Sequence, residues 1–135
     1  MIMRGGCLCG AVQLEADASK WCAYCHCSMC RRAHGASPVL WVGLDEGAFR
    51  IVSGAETLGR YESSPGAERS FCTRCGTPML FRSKRWPGEV HVAGALLEAL
   101  DRAPQAHVFW DDRAPYTTCE DGLPRRGGKT GVEPA

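Results

Sequence analysis

Apolar residues recur along this chain at a two-residue period rather than at helical spacing. Alternation in Ala11-Val12-Gln13-Leu14-Glu15-Ala16, just after Gly10, predicts a strand. Residues 38–43 and 49–53 predict two more, separated by the turn-prone Asp45-Glu46-Gly47, and residues 58–62 carry a weaker form of the pattern. Ser63-Ser64-Pro65-Gly66-Ala67 reads as a turn. Residues 68–71 and 79–82 read as strands on either side of a cysteine pair. Trp86-Pro87-Gly88 is the turn before another at 89–93. Residues 96–100 allow one helical turn, and 106–110 predict a final strand ending in a loop over 111–115. These elements make a mainly β chain with little helix. One domain is expected over residues 1–123, with a disordered tail at 124–135 whose composition is basic and glycine-rich.

Composition narrows the class. A chain of 135 residues supports a single domain with a modest core, so bound metal would supply much of its folding free energy. With 44% hydrophobic and 23% charged residues it reads as soluble, and no apolar run approaches the roughly 20 residues of a membrane span. The first ten residues carry Arg4 but no apolar stretch or cleavage-like segment, so no signal peptide is expected and cytoplasm is the expected compartment. In that compartment closely spaced cysteines point to metal or redox chemistry rather than to a disulfide scaffold. The formal charge is +1, and loading seven thiolates with two zinc ions would move it to about −2. No nucleic-acid partner is expected. The basic run Pro124-Arg125-Arg126-Gly127-Gly128-Lys129 reads as a solubilising tail.

Seven of the nine cysteines fall into three tight groups: Cys7-Leu8-Cys9, Cys25-His26-Cys27-x-x-Cys30 and Cys72-x-x-Cys75. Thiolates one or two residues apart meet a single tetrahedral ion such as zinc without straining the backbone. Gly10 and Gly76 follow the last ligands of the two pairs, where a small residue lets the chain turn as in zinc knuckles. Joining the pairs would close a four-thiolate site across some 60 residues and leave Cys25, Cys27 and Cys30 one ligand short. An incomplete shell accepts water or substrate. Spacing alone leaves the pairing open. Cys22 adds an alternative, since inward it would complete the second site and make it purely structural, whereas outward it is an ordinary strand or core cysteine. Cys119 stands alone and reads as a bystander.

Gly6-Cys7-x-Cys9-Gly10, Cys25-His26-Cys27-x-x-Cys30-Arg31-Arg32 and Phe71-Cys72-x-x-Cys75-Gly76-Thr77 occur in one order. His107-Val108-Phe109 and Arg113-Ala114-Pro115 follow them. In these motifs the chain resembles the glutathione-dependent formaldehyde-activating enzymes, a family that includes the centromere protein V domain. The resemblance implies a structural zinc on Cys7, Cys9, Cys72 and Cys75, and a catalytic zinc on Cys25, Cys27 and Cys30. It also implies an antiparallel β-tent stapled by zinc and carbon–sulfur bond chemistry, the condensation of formaldehyde with glutathione to S-hydroxymethylglutathione. The implied partners are thus a small-molecule thiol such as glutathione and an aldehyde.

Candidate helpers are few. Arg31, Arg32 and His34 are the expected contacts for a substrate carboxylate, with a solvated face as the simpler reading. His26, between two ligands, is expected to turn its ring away from the metal, and His107 to be a hydrogen-bonded core or rim residue. Trp21, Trp41, Phe81, Trp86, Phe109 and Trp110 either line a pocket or build the core. Besides a zinc-dependent carbon–sulfur lyase or synthase, the sequence admits a zinc-stabilised binding module, or a metal buffer or redox sensor with labile zinc.

Overall fold

The computed structural model describes residues 1–134. Three sheets hold nearly all the regular structure. A small sheet joins β1 (Met3–Gly6), β2 (Gln13–Ala16) and β5 (Phe49–Ser53) in the order β1-β2-β5. The main sheet is built from β3 (Trp21–Cys25), β4 (Val39–Asp45), β6 (Leu58–Ser64), β7 (Ala67–Cys72), β8 (Pro78–Ser83), β9 (Glu89–Ala93) and β10 (His107–Val108). Its order is β10-β3-β4-β9-β8-β7-β6, antiparallel except where β10 runs parallel to β3. One helix, α1 (Ser28–His34), leaves β3 directly and ends at Gly35 in the left-handed conformation. No helix among the described residues is long and apolar enough to cross a membrane.

The middle of the main sheet is apolar on both faces. Cys22, Val42, Leu44, Leu80, Val90 and Val92 pack against Leu14, Ala16 and Met3 of the small sheet. On the opposite face Cys25, Val39, Trp41 and Ala93 gather with Trp21, Phe81, Val108 and Phe109. Because side chains alternate along a strand, Trp21 and Cys25 face one side of β3 while Cys22 faces the other. Gly43 pairs with Trp21 across β3–β4, and a Cβ there would lie 2.1 Å from the indole. The indole therefore occupies the space that a side chain at this position would need.

Several boundaries differ from the sequence reading. β1, β3 and α1 have no counterpart in it, and the helical turn expected at 96–100 forms instead as a 3-10 turn at Gly94–Leu96. Residues 124–134, which composition alone reads as disordered, make a small hairpin of β11 (Arg126–Gly127) and β12 (Glu133–Pro134). The segment is anchored on the edge that short β10 leaves open. His107 N–H donates to Pro124 O at 2.8 Å, Phe109 N–H donates to Gly131 O at 2.7 Å, and Arg125 lies 4.4 Å over the Trp110 ring.

Candidate metal centres

The two knuckles meet at one end of the interface between sheets. The sulfurs of Cys7, Cys9, Cys72 and Cys75 all lie within 4.8 Å of one another. Cys7–Cys9 and Cys9–Cys72 are 3.7 and 3.8 Å apart. A zinc–sulfur bond of about 2.3 Å in a tetrahedron sets its sulfurs about 3.8 Å apart, so the cage fits zinc. Local structure explains the fit. Gly10 (φ 80°) and Gly76 (φ 79°) both take the left-handed turn, and their N–H groups donate back to Cys7 O at 3.0 Å and Cys72 O at 2.8 Å. Val12 N–H donates to Cys7 Sγ at 3.3 Å. The Thr77 hydroxyl sits 3.1 Å from Cys75 Sγ and, with the amides of Cys9 and Thr77, holds that thiol down to about 5.

Cys25, Cys27 and Cys30 sit at the end of β3 and the start of α1, and their three sulfurs do not all lie within the 4.8 Å that encloses the first cage. Cys25 and Cys30 sulfurs are 3.8 Å apart, the same tetrahedral spacing, and both residues are buried. Cys27 is the residue preceding α1. Its neighbours Cys25 and Cys30, with the amides of Cys30 and Met29, hold its thiol down to about 2 against the opposing effect of burial. Helix-start N–H groups thus face the sulfur, an arrangement suited to a thiolate ligand. Cys22 stands apart. It is buried in the other core, its N–H donates to Gln105 Oε1 at 3.1 Å, and burial pushes its thiol up to about 11.

The three cysteines line an open-mouthed cavity of about 510 Å³. Its walls include Trp21, Trp41, Phe81, Trp86 and Phe109, so these aromatics line a pocket rather than only filling core. Buried His91 also lines it, held by Glu89 Oε1 at 3.0 Å and packed edge-on against Trp21 at 4.6 Å. A carboxylate only accepts, so His91 Nε2 carries the hydrogen. Desolvation lowers the His91 pKa, and the ring is neutral near pH 7.

Arg69, Arg85 and Arg126 all line this cavity, and Arg69 on β7 is the one bonded to a cysteine sulfur. Its Nη2 donates to Cys30 Sγ at 3.5 Å, its Nε donates to Ser63 Oγ at 3.1 Å, and the guanidinium lies 4.8 Å over the Phe81 ring. Neither Arg31, Arg32 nor His34 lines the cavity. Arg32 and His34 line a separate groove with Tyr61 and Phe71, and His34 packs edge-on against Trp41 at 5.1 Å. Desolvation, helped by Arg69, lowers His34 to about 4. Arg31 Nε is buried without a partner.

A second group close enough to hold an ion is His107, Cys119 and Asp121. Its spacing is that of hydrogen bonds. His107 Nε2 lies 2.8 Å from Asp121 Oδ2, and the Cys119 thiol donates to Asp121 Oδ1 at 3.3 Å. The carboxylate requires a hydrogen on His107 Nε2, so His107 Nδ1 accepts from His26 Nε2 at 2.8 Å. His26, fully buried, thereby turns its ring toward β10, and its backbone N–H donates to Val108 O at 3.0 Å. Cys119 is part of this network rather than a bystander. The chain of partners braces the peptide between Cys25 and Cys27.

Residues 2–112 match the model of the family described as glutathione-dependent formaldehyde-activating enzyme. The chain belongs to that family. A Halomonas elongata protein provisionally named a glutathione-dependent formaldehyde-activating enzyme is 30% identical over 130 residues, covering 89% of this chain and 82% of the relative. An uncharacterized lyase of Schizosaccharomyces pombe is 37% identical over 116 residues, covering 81% and 79%. The crystal structure of a Rhodobacter sphaeroides protein superposes with a TM-score of 0.62 at 33% identity, covering 73% of this chain and 91% of that one. The family match spans all three cysteine groups and Arg69. It ends before Cys119 and the terminal hairpin.

Proposed function

We propose that this member of the formaldehyde-activating family is a zinc-dependent carbon–sulfur lyase or synthase acting on small thiol–aldehyde adducts of the S-hydroxymethylglutathione type. A structural zinc on Cys7, Cys9, Cys72 and Cys75 would have its shell closed by sulfur. A second zinc on Cys25, Cys27 and Cys30 would keep one tetrahedral position for an incoming thiol. The observation that carries this reading is the location of the three-cysteine group in the wall of the open aromatic cavity. When bound, a zinc ion there lowers the pKa of a coordinating thiol and presents it as a nucleophile. The chain's own groups do the rest. Aromatic walls exclude water from the adduct, and Arg69 places positive charge beside the Cys30 sulfur.

Thiols add to formaldehyde unaided, so the test compares rates with and without the second centre. Glutathione and formaldehyde are mixed with the unsubstituted chain or Cys27→Ala, and adduct formation is followed by NMR. The expected result is a rate above the protein-free reaction for the unsubstituted chain only. Cys27→Ala should keep its melting temperature and lose one zinc per chain. Equal rates for the two proteins would remove the catalytic assignment and favour a zinc-stabilised binding module.

A further inference from the structure

Among the described residues Arg69 is the arginine that donates to a sulfur of the three-cysteine group, and its bonding is incomplete. Nη2 and Nε are engaged by Cys30 and Ser63, whereas Nη1 is buried with no hydrogen-bond partner in the protein. A buried, unpaired N–H on a charged group is costly, because it has lost its water without gaining a partner. The guanidinium is nevertheless fixed on three sides, by Cys30, Ser63 and the Phe81 face. A donor so held is set for something that arrives later. Since Nη1 and Nη2 share one carbon, the free donor sits next to the Cys30 sulfur. It therefore meets the reacting end of a ligand, not a distant carboxylate.

We propose that Arg69 is a catalytic residue whose Nη1 donates to the oxygen that becomes negative when the carbon–sulfur bond forms. This rests on the function proposed above. The thiol first gives its proton to solvent. The thiolate then attacks the aldehyde carbon, a C–S bond forms, and the C=O π pair moves onto oxygen. Arg69 stabilises that alkoxide, which takes a proton from water to give the hydroxyl of the adduct. In the lyase direction the same donor holds the alkoxide as the C–S bond breaks. Arginine suits the position because it stays charged and cannot quench the alkoxide by losing its proton. Donors fixed in advance at a developing oxyanion contribute about 10²–10³-fold to kcat.

The test pairs rates with a binding measurement that needs no turnover. Arg69→Met and Arg69→Lys are compared with the unsubstituted chain for zinc content, for kcat and KM, and by calorimetry with two unreactive probes. Glutathione sulfonate carries oxyanion oxygens at the sulfur end; S-methylglutathione carries none. The expected result is two zincs per chain in all three proteins and a kcat loss of about 10²–10³-fold in Arg69→Met with KM changed little. Sulfonate affinity should fall about 10–100-fold, with S-methylglutathione changed less than about threefold. Equal weakening for both probes, or loss of zinc alongside Arg69, would make the residue a prop for Cys30 and overturn the proposal. A chain without turnover that still discriminates between the probes would sink the parent reading while leaving Arg69 as the oxyanion donor. Turnover without discrimination would do the reverse.

Discussion

At the scale of single residues, burial and neighbours decide which groups can react. Cys22 and Cys25 lie three positions apart in β3 and so face opposite sides of the sheet. Cys25 packs in one core with Cys27 and Cys30, while the Cys22 side chain packs in the other. Strand parity resolves the Cys22 question, but only once β3 is known to run through both residues. His34 illustrates the same control by burial. Its folded pKa of about 4 lies below the ordinary value of about 6.5. Its neutral form is thus the one the fold accepts, and the unfolded chain takes up a proton first as pH falls. Stability should be fully present above about pH 6.5 and decline toward pH 4. His26, lowered to about 4 chiefly by desolvation, adds to the same trend. His34→Phe keeps an aromatic edge against Trp41 and should shrink, without abolishing, the fall in urea midpoint between pH 7 and 5.5. An identical fall in the variant would mean that His34 is not held neutral.

The elements that the sequence showed are those bracketed by strong turn signals, whether or not one face is wet. β5 and β9 appeared at their observed bounds, and β6, β7 and β8 within a residue or two, because turns rich in Gly, Pro and Ser bracket them. β3 escaped because Trp21-Cys22-Ala23-Tyr24-Cys25 is apolar throughout. A strand buried on both faces shows no alternation. Helix α1 escaped because it has seven residues, no capping side chain, and Cys30, Arg31 and Arg32 in place of an apolar stripe. Each cysteine knuckle was legible because its backbone demand is local. That demand makes a prediction. Gly76 has φ 79° and nothing within 4 Å of a Cβ, so strain rather than space governs substitution there. Gly76→Ala should cost about 1–2 kcal/mol by urea denaturation, whereas Gly47→Ala, in open space at ordinary φ, should be nearly neutral. Equal effects would show that the left-handed turn is not what the first metal cage requires.

At the scale of the molecule, what remained hidden was proximity. Pairing Cys7/Cys9 with Cys72/Cys75 is suggested by arithmetic on ligand number. Arg69, Trp86, His91 and Phe109 come to the second cysteine group only through the main sheet's strand order, and no spacing announces that. Arg31 and Arg32 are adjacent to Cys30 in sequence, yet α1 carries them away from the cavity, and its cations are Arg69, Arg85 and Arg126 instead. The tail misled for a related reason. Its composition is polar, but its anchor is the unpaired edge of β10, which lies elsewhere in the chain. Two metal centres of different kinds are the claim on which the rest depends, one closed by four sulfurs and one left open by three. Diffraction from crystals of the zinc-loaded chain, collected across the zinc absorption edge, tests it most directly. Two anomalous peaks are predicted, the second bonded to Cys25, Cys27 and Cys30 and to one non-protein ligand facing the aromatic cavity. A single peak, or a fourth protein ligand completing the second centre, would contradict the account.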